Sequence, residues 1–234
     1  MSGHHASSTI SAEVRAVEAF LEERGLLDPG EIDTRIDEFL AGGSPANGAR
    51  IVARAWVDPG FAERLLADAN TAIREVGLSM AGGIQEQRLK VVANTADEHN
   101  VVVCTLCSCY PIALLGPSPS WYKSEAYRSR VVRDPRGVLR EFGVELPAST
   151  GIAVWDASAE SRYMVLPRRP DGTDDLTEEQ LAGLVTRKGL IGTSAPAAVS
   201  PRSAKPSATV RSPAAAAARS SADPGRPRIG SLGS

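Results

Sequence analysis

Every cysteine in this chain lies within one six-residue run, Cys104-Thr105-Leu106-Cys107-Ser108-Cys109. Three thiols this close together cannot form a disulfide framework for a chain of 234 residues, but they can surround a single metal ion. Cysteine binds metals as thiolate, and a neighbouring cation lowers the thiol pKa enough to supply that form. The segment must curl tightly to bring its sulfurs together, and we call residues 104–109 the claw. The spacing therefore predicts a metal site.

Zinc is the common alternative at clustered cysteines, but it normally takes four protein ligands, often as two separated pairs. The claw supplies only three ligands, and the nearest histidine is His99. A zinc site made by the three cysteines and His99 therefore stays open. A thioredoxin-like redox pair is disfavoured because no suitable strand–helix–strand pattern surrounds the run. Cysteines buried only for packing would be unusual with Ser and Thr between them.

The claw and several other segments resemble one known family. Residues 103–110 (VCTLCSCY) are similar to the metal-binding motif of the nitrile hydratase α subunit. Other segments resemble the same family in the expected order: 51–58 (IVARAWVD), 121–123 (WYK), 127–130 (YRSR), 134–143 (DPRGVLREFG) and 154–167 (VWDASAESRYMVLP). The resemblance covers residues 9–194, and the claw is its most specific part.

The resemblance implies a non-corrin Co(III) ion, with Fe(III) as the alternative. Its ligands would be the sulfurs of Cys104, Cys107 and Cys109 and the deprotonated main-chain amides of Ser108 and Cys109. Five protein ligands leave one position open, as a catalytic metal requires. Thr105 favours cobalt, because members of the family with Ser at that place usually carry iron. The family also oxidises two of the sulfurs, which here would make Cys107 a sulfinic acid and Cys109 a sulfenic acid.

The implied reaction is the addition of water to a nitrile to give an amide. The oxygen on Cys109 would act as nucleophile or base, and Gln85 matches a glutamine that reaches the active site. Family members carry Trp where this chain has Ile112 in its substrate pocket. The smaller side chain leaves room for a bulky nitrile, such as a heteroaromatic one, unless the partner chain fills the gap.

A second group of residues would support the metal loop. Asp156, Glu160 and Arg162 match an acidic pair and an arginine that the family places beneath the loop. From the residues alone, the same three side chains could form a surface ion pair, which contributes little to stability.

The resemblance also implies partners. Two arginines of a β subunit would hydrogen-bond the oxidised sulfurs, and a metallochaperone or activator would assist maturation. The metal-binding subunit of thiocyanate hydrolase shares the CTLCSC claw and is the alternative function. A non-catalytic zinc-binding module is the third possible function.

Composition narrows the class of protein. Residues 195–234 are rich in Ala, Ser, Pro and Arg and carry six basic residues and one acid, so the remaining 20 basic and 27 acidic residues give the rest of the chain a charge near −7. An acidic body argues against nucleic acid as a ligand. No apolar run approaches the ~20 residues of a membrane span, and residues 1–11 lack the pattern of a secretory signal. Clustered thiols fit a reducing compartment, so we expect a cytoplasmic protein.

We expect an α+β fold in three parts. Residues 1–45 form a helical arm with an apolar stripe that includes Val14 and Val17, residues 46–194 form a layered α/β metal-binding domain, and residues 195–234 are disordered. One helix of the arm is expected over this stripe, and a second helix is expected to begin at Asp28-Pro29.

Within the central domain, short β-branched runs at 89–93 and 101–103 predict strands that lead into the claw. Segments 152–155 and 162–166 are expected to be strands paired with each other. Helices are expected from Asp58-Pro59 to Gly77, over 121–132 and 135–142, and from a capping box of Thr177 and Gln180 through Val185.

Overall fold

A computed structural model gives the architecture of the chain and describes residues 8–81, 86–107 and 109–197. Within these residues short helices combine with four strands, and the claw follows a strand directly. This arrangement confirms the predicted α+β class. Most of the predicted disordered tail lies outside the described residues. No described helix is both long and apolar enough to cross a lipid bilayer.

Two helices precede the central domain, α1 at Ser8–Glu23 and α2 at Glu31–Gly42. The second helix begins two residues later than predicted. Its N-cap is Gly30 in a left-handed conformation, with no side-chain cap. Val14 and Val17 are 60% and 59% exposed, so the predicted stripe of α1 faces away from the core of this chain.

Three helices follow in close succession: α3 at Pro45–Val57, α4 at Pro59–Ala67 and α5 at Ala69–Arg74. The sequence pattern predicted one helix over the last two, starting at Asp58. The Asp58 cap is present, since its side chain accepts the main-chain N–H of Phe61. The helix is interrupted at Asp68 because its carboxylate accepts the N–H of Thr71 and begins a new helix. The expected inward residues Phe61 and Ile73 are buried.

The four strands form two separate parallel pairs. β1 (Arg88–Ala93) pairs with β4 (Ser161–Leu166), and β2 (Glu98–Val103) pairs with β3 (Gly151–Asp156). The predicted pairing of 152–155 with 162–166 is therefore wrong. The main-chain N–H of Ala157 still donates to Val103, so β3 stays bonded to β2 until the chain turns. The Ser158 N–H then donates to Ser161, and this tight turn moves the chain to the other sheet.

Short helices occupy the segments between the strands. The predicted helix over 121–132 is divided into a 3-10 helix at Ser120–Lys123 and α7 at Glu125–Val131, because the Ser124 side chain caps a new helix. The capping box of Thr177 and Gln180 is confirmed. The remaining helices are α6 at Ile112–Leu115, α8 at Pro135–Glu141, α9 at Glu178–Ala182 and α10 at Arg187–Ile191; α6 and α10 were not predicted.

The core lies between the sheets and these helices. α4 and α5 pack on β1, α8 packs on β3, and α10 contacts both β2 and β4. Much of β2 is buried, so the strand that carries the claw is held on both faces. The fully buried side chains include Ile51, Phe61, Leu65, Ile73, Val101, Val103, Leu114, Leu139, Met164 and Leu190.

Candidate metal centre

The three cysteine sulfurs converge at the carboxyl end of β2. Cys104 is fully buried, Cys109 is half-buried and Cys107 is exposed, and none of them is in a disulfide. Cys107 Sγ lies 3.2 Å from Cys104 Sγ and 3.0 Å from Cys109 Sγ. All three sulfurs lie within 4.8 Å of one another. The claw therefore offers three sulfur ligands to a single ion.

The environment of the Cys109 thiol shows why the set suits a cation. The pKa of the Cys109 thiol is raised to about 12. Burial is the largest cause, and the hydrogen bond with Cys107 is the second. The charge of Arg162 lowers this pKa. Three thiolates at these separations would also repel one another. A positive ion among the sulfurs offsets the burial of the thiolate charge and the repulsion between thiolates, because the metal replaces the thiol protons. A sulfur-rich set of this kind suits zinc, copper(I) or a thiophilic iron or cobalt ion.

The parallel pairing of β2 and β3 fixes the start of the claw. Val103 at the end of β2 is in register with Asp156 at the end of β3. Parallel strands end at the same edge of a sheet, so Asp156 lies beside Thr105, just beyond the end of β2. Its carboxylate accepts the Thr105 main-chain N–H at 2.9 Å and also the Thr105 hydroxyl. Asp156 thus anchors the claw.

Two side chains from the next helical segment hold the main chain further along the claw. Arg128 in α7 places Nη1 at 3.0 Å from the carbonyl oxygen of Cys107 and 3.4 Å from that of Thr105. The hydroxyl of Tyr122 in the 3-10 helix donates to the carbonyl of Cys109 at 3.0 Å. Three side chains therefore hold the claw from outside at residues 105, 107 and 109.

A cluster of aromatic rings supports these contacts. Tyr127 donates its hydroxyl to the carbonyl of Val102 in β2 at 2.7 Å. Burial raises the pKa of Tyr122 and of Tyr127 above the usual tyrosine range, so both hydroxyls remain donors at neutral pH. The rings pack at tilted or edge-on angles, with centroids 4.7 to 6.1 Å apart: Tyr110, Trp121, Tyr122, Tyr127 and Phe142.

Arg162 and Glu160 lie near the claw but do not touch its main chain in the described structure. Arg162 is buried, and its Nη1 donates to the carbonyls of Ser158 and Ala159 in the turn after β3. Glu160 is exposed on the same turn. The hydrogen bonds of Arg162 go to main-chain oxygens rather than to Asp156 or Glu160, so these three residues do not form the surface ion pair considered from the sequence. Arg162 stabilises the turn that directly follows Asp156 at the end of β3.

His99 is not a fourth ligand in this structure. Its Nε2 donates to the carbonyl of Gly192 at 2.7 Å, and its Nδ1 lies 3.3 Å from the Asn94 side-chain nitrogen. His99 is the second residue of β2, so about 16 Å of strand separates it from Cys104 at about 3.3 Å per residue. The metal-binding group found among the described residues consists of the three cysteines alone. A closed four-ligand zinc site with His99 is therefore wrong for this fold.

Three sequence-predicted positions remain to be placed. Gln85 and Ser108, whose amide is expected to bind the metal, lie outside the described residues. Ile112 begins α6, is half-buried and packs against the core.

Arg128 and Tyr122 were not identified as site residues from the sequence. They lie in the WYK and YRSR segments that carry the family resemblance, and that position was the only available signal. Bonds from side chains to main-chain carbonyls leave no residue pattern at the accepting positions.

Comparison with known proteins agrees with this geometry. The family described as "Nitrile hydratase, alpha chain" matches residues 8–194. The α subunit of the low-molecular-weight cobalt-containing nitrile hydratase from Rhodococcus rhodochrous is 54% identical over 187 residues, which cover 80% of this chain and 89% of that protein. The γ subunit of thiocyanate hydrolase from Thiobacillus thioparus is 46% identical over 160 residues, which cover 65% of this chain and 66% of that protein.

Solved structures extend the match to the fold. A double mutant of the Fe-type nitrile hydratase from Comamonas testosteroni Ni1 superposes with a TM-score of 0.73 at 40% identity, covering 88% of this chain and 98% of that chain. The residues matched by the family model include the claw and the strands that precede and follow it. The chain belongs to the nitrile hydratase α-chain family.

Proposed function

We propose that this chain is the metal-bearing subunit of a nitrile hydratase, which hydrates a nitrile to the corresponding amide. The observation that carries the proposal is the convergence of three cysteine sulfurs within 4.8 Å on a loop anchored at the end of β2. The ligands are the sulfurs of Cys104, Cys107 and Cys109 and the main-chain amides of Ser108 and Cys109. With no fourth side chain in the described group, coordination positions remain for main-chain nitrogen and for reactants.

The metal is low-spin Co(III) in this proposal, with Fe(III) as the alternative. Thr105 follows the first cysteine, as in cobalt members of the family, and the Rhodococcus rhodochrous relative is named as cobalt-containing. The structurally similar Comamonas testosteroni protein is named as Fe-type, which keeps iron as the alternative. A trivalent ion suits this site because only a strong Lewis acid displaces amide protons.

The exposure of the three cysteines supports the proposed oxidation pattern. Oxidation of cysteine follows thiolate character and access to solvent. Cys104 is fully buried, whereas Cys107 is exposed and Cys109 is half-buried. We assign the sulfinic acid to Cys107 and the sulfenic acid to Cys109, and Cys104 remains a plain thiolate.

The bound ion would supply a Lewis acid that polarises the nitrile or lowers the pKa of a water. The oxygen on Cys109 serves as nucleophile or base, and the hydrogen bond from Tyr122 to the Cys109 carbonyl holds the main chain of that residue. Gln85 takes the role of the active-site glutamine that it matches in the family. Ile112 has a smaller side chain than tryptophan, so it leaves the substrate pocket wider. On this basis the substrate is a bulky nitrile, such as a heteroaromatic one. Asp156 holds the loop directly, whereas Arg162 acts on it through the turn after β3, on which Glu160 also lies.

The exposed apolar surface supports a β-subunit partner. Leu106 at the tip of the claw is 90% exposed. Burying such side chains against a partner is favourable by roughly 25 cal/mol per Å², and residues 1–45 act as an arm around that partner. Maturation requires a metallochaperone or activator that delivers the metal. The exposed apolar side chains of α1 and α2 are Ile10, Val14, Val17, Phe20, Ile32, Ile36 and Leu40.

A paired activity assay tests the proposal. The full-length chain, produced with its β subunit in cobalt-supplemented cells, is expected to form amides from nitriles and to release no carbonyl sulfide from thiocyanate. Thiocyanate hydrolase is the second candidate, favoured by the 46% identity to the Thiobacillus thioparus γ subunit. Carbonyl sulfide release without amide formation would establish that candidate instead. Colourless, zinc-loaded protein with neither activity would leave only a binding module.

A further inference from the structure

We propose that Arg128 is a positioning residue that shapes the claw for its metal. This inference rests on the proposed metal function. Arg128 is half-buried in α7, and a single nitrogen of its guanidinium, Nη1, bridges the carbonyl oxygens of Cys107 and Thr105 at 3.0 and 3.4 Å. These carbonyls belong to residues two apart on the curled segment. One donor between them fixes the bend of the main chain.

The bond to Cys107 acts on a residue that the proposed function makes a metal ligand. Cys107 carries one of the three sulfurs, and its carbonyl accepts a hydrogen bond from Arg128 at 3.0 Å. Arg128 therefore holds the main chain of a ligand residue without touching the ion. Second-sphere partners of this kind typically change metal affinity by about 10–100-fold.

The charge of Arg128 strengthens this contact. Hydrogen bonds from an ionised donor are roughly twice as strong as those between neutral groups. The Nε of Arg128 is buried and has no hydrogen-bond partner in the described structure, so the contacts of Nη1 hold the guanidinium in place at the cost of one unsatisfied donor. Asp156 holds the claw at Thr105 and Tyr122 holds it at Cys109, so Arg128 is the side chain that controls the middle of the loop.

The same helix offers a matched control. Arg130 lies two residues further along α7 and pairs with Glu141 at an exposed surface. Replacing Arg130 by Met removes an arginine and an ion pair from α7 without touching the claw. Replacing Arg128 by Met removes the two carbonyl contacts and keeps a side chain of similar length.

The test measures metal retention and the visible spectrum rather than activity. Full-length wild type, R128M, R128K and R130M are each produced with the β subunit in cobalt-supplemented cells. Cobalt per chain and the visible circular dichroism are recorded first. The first-order loss of cobalt into excess chelator is then followed after a reductant has converted the ion to the exchange-labile Co(II) form. We expect R128M to lose cobalt about 10–100-fold faster than wild type, with altered visible bands. R128K should lose it several-fold faster, because an ammonium is shorter and lacks the planar fork.

Each outcome bears on the proposal. R130M is expected to match wild type in metal loss and spectrum, which separates the claw contact from a general effect on α7. Cobalt loss and visible bands of R128M equal to those of wild type would overturn the inference. If R128M does not fold, R128K decides in the same way, since wild-type behaviour of R128K would overturn it. A wild-type protein that holds no cobalt would instead refute the proposed function.

Discussion

The Asp156 carboxylate accepts two hydrogen bonds from Thr105, one from its main-chain N–H at 2.9 Å and one from its hydroxyl. This pair joins the carboxyl ends of two neighbouring parallel strands, because Asp156 ends β3 and Thr105 lies just beyond β2. The claw is thereby tied to the sheet at its first bend. Thr105, which the proposed function uses to favour cobalt over iron, is thus also a residue that holds the loop.

Thr105→Val should weaken metal retention. Valine keeps the branched shape and the main-chain N–H but removes the hydroxyl contact with Asp156. We expect cobalt to be lost to a chelator about 10-fold faster, at the lower end of the range for second-sphere contacts. Thr105→Ser is the comparison in cobalt-loaded protein, since it keeps both hydrogen bonds and should release cobalt more slowly than Thr105→Val. Equal release rates for the valine and serine variants would contradict this role for the hydroxyl.

Ile112→Trp tests the proposed substrate size. An indole at this position should narrow the pocket and reduce kcat/KM for a large aromatic nitrile on the order of 10-fold more than for a small aliphatic one, because shape mismatch in a pocket discriminates at this scale. Ile112→Leu conserves volume and should leave the ratio of the two kcat/KM values unchanged. Equal losses on both nitriles after Ile112→Trp would remove the bulky-nitrile proposal.

His99 should make the stability of the fold depend on pH. Burial lowers the pKa of His99 below its usual value, although its bond to the Gly192 carbonyl acts in the opposite direction. The unfolded chain binds a proton there at about pH 6.5 while the folded chain resists it. The free energy of unfolding should therefore fall as pH drops below about 6.5, by at most about 1.4 kcal/mol per pH unit from this group.

Denaturant titrations between pH 7.5 and pH 5.5 measure this effect. His99→Gln retains a donor for the Gly192 carbonyl but does not titrate, so its stability should change less over the same interval. The same pH dependence in wild type and in the glutamine variant would show that other groups are responsible.

Gly192 is required where α10 approaches β2. It has φ +90°, and a Cβ there would lie 2.0 Å from the Asn100 carbonyl oxygen. Gly192→Ala should therefore cost about 1–2 kcal/mol for the left-handed conformation and about 1–3 kcal/mol more for the overlap. Gly77 has φ +72° with no atom within 4 Å of such a Cβ, so Gly77→Ala should cost only the conformational part. Equal destabilisation of the two variants in urea titrations would contradict the close packing at Gly192.

Local signals in the sequence predicted much of the fold. Side-chain caps at Asp58 and Thr177 marked helix starts correctly, because a cap requires only neighbouring residues. The pairing of β3 and β4 was predicted wrongly, because strand partners are chosen by contacts distant in sequence. The breaks at Asp68 and Ser124 were missed because apolar periodicity continues across them.

The site was predictable to a similar extent. The claw is local, so its cysteine spacing alone indicated a metal site. Asp156 was identified through the resemblance, whereas its bond to Thr105, which lies 51 residues earlier in the sequence, depends on the register of β2 and β3. Arg128 reaches the claw only because α7 folds back beside it. No pattern at residues 105–107 records that contact.

The most direct test combines metal analysis with the mass of the peptide that contains Cys104 to Cys109, using full-length chain matured with its β subunit. Our account predicts one cobalt per chain and a peptide heavier by three oxygen atoms, two on Cys107 and one on Cys109. A tetrahedral divalent zinc ion bound to three unmodified cysteines would contradict it.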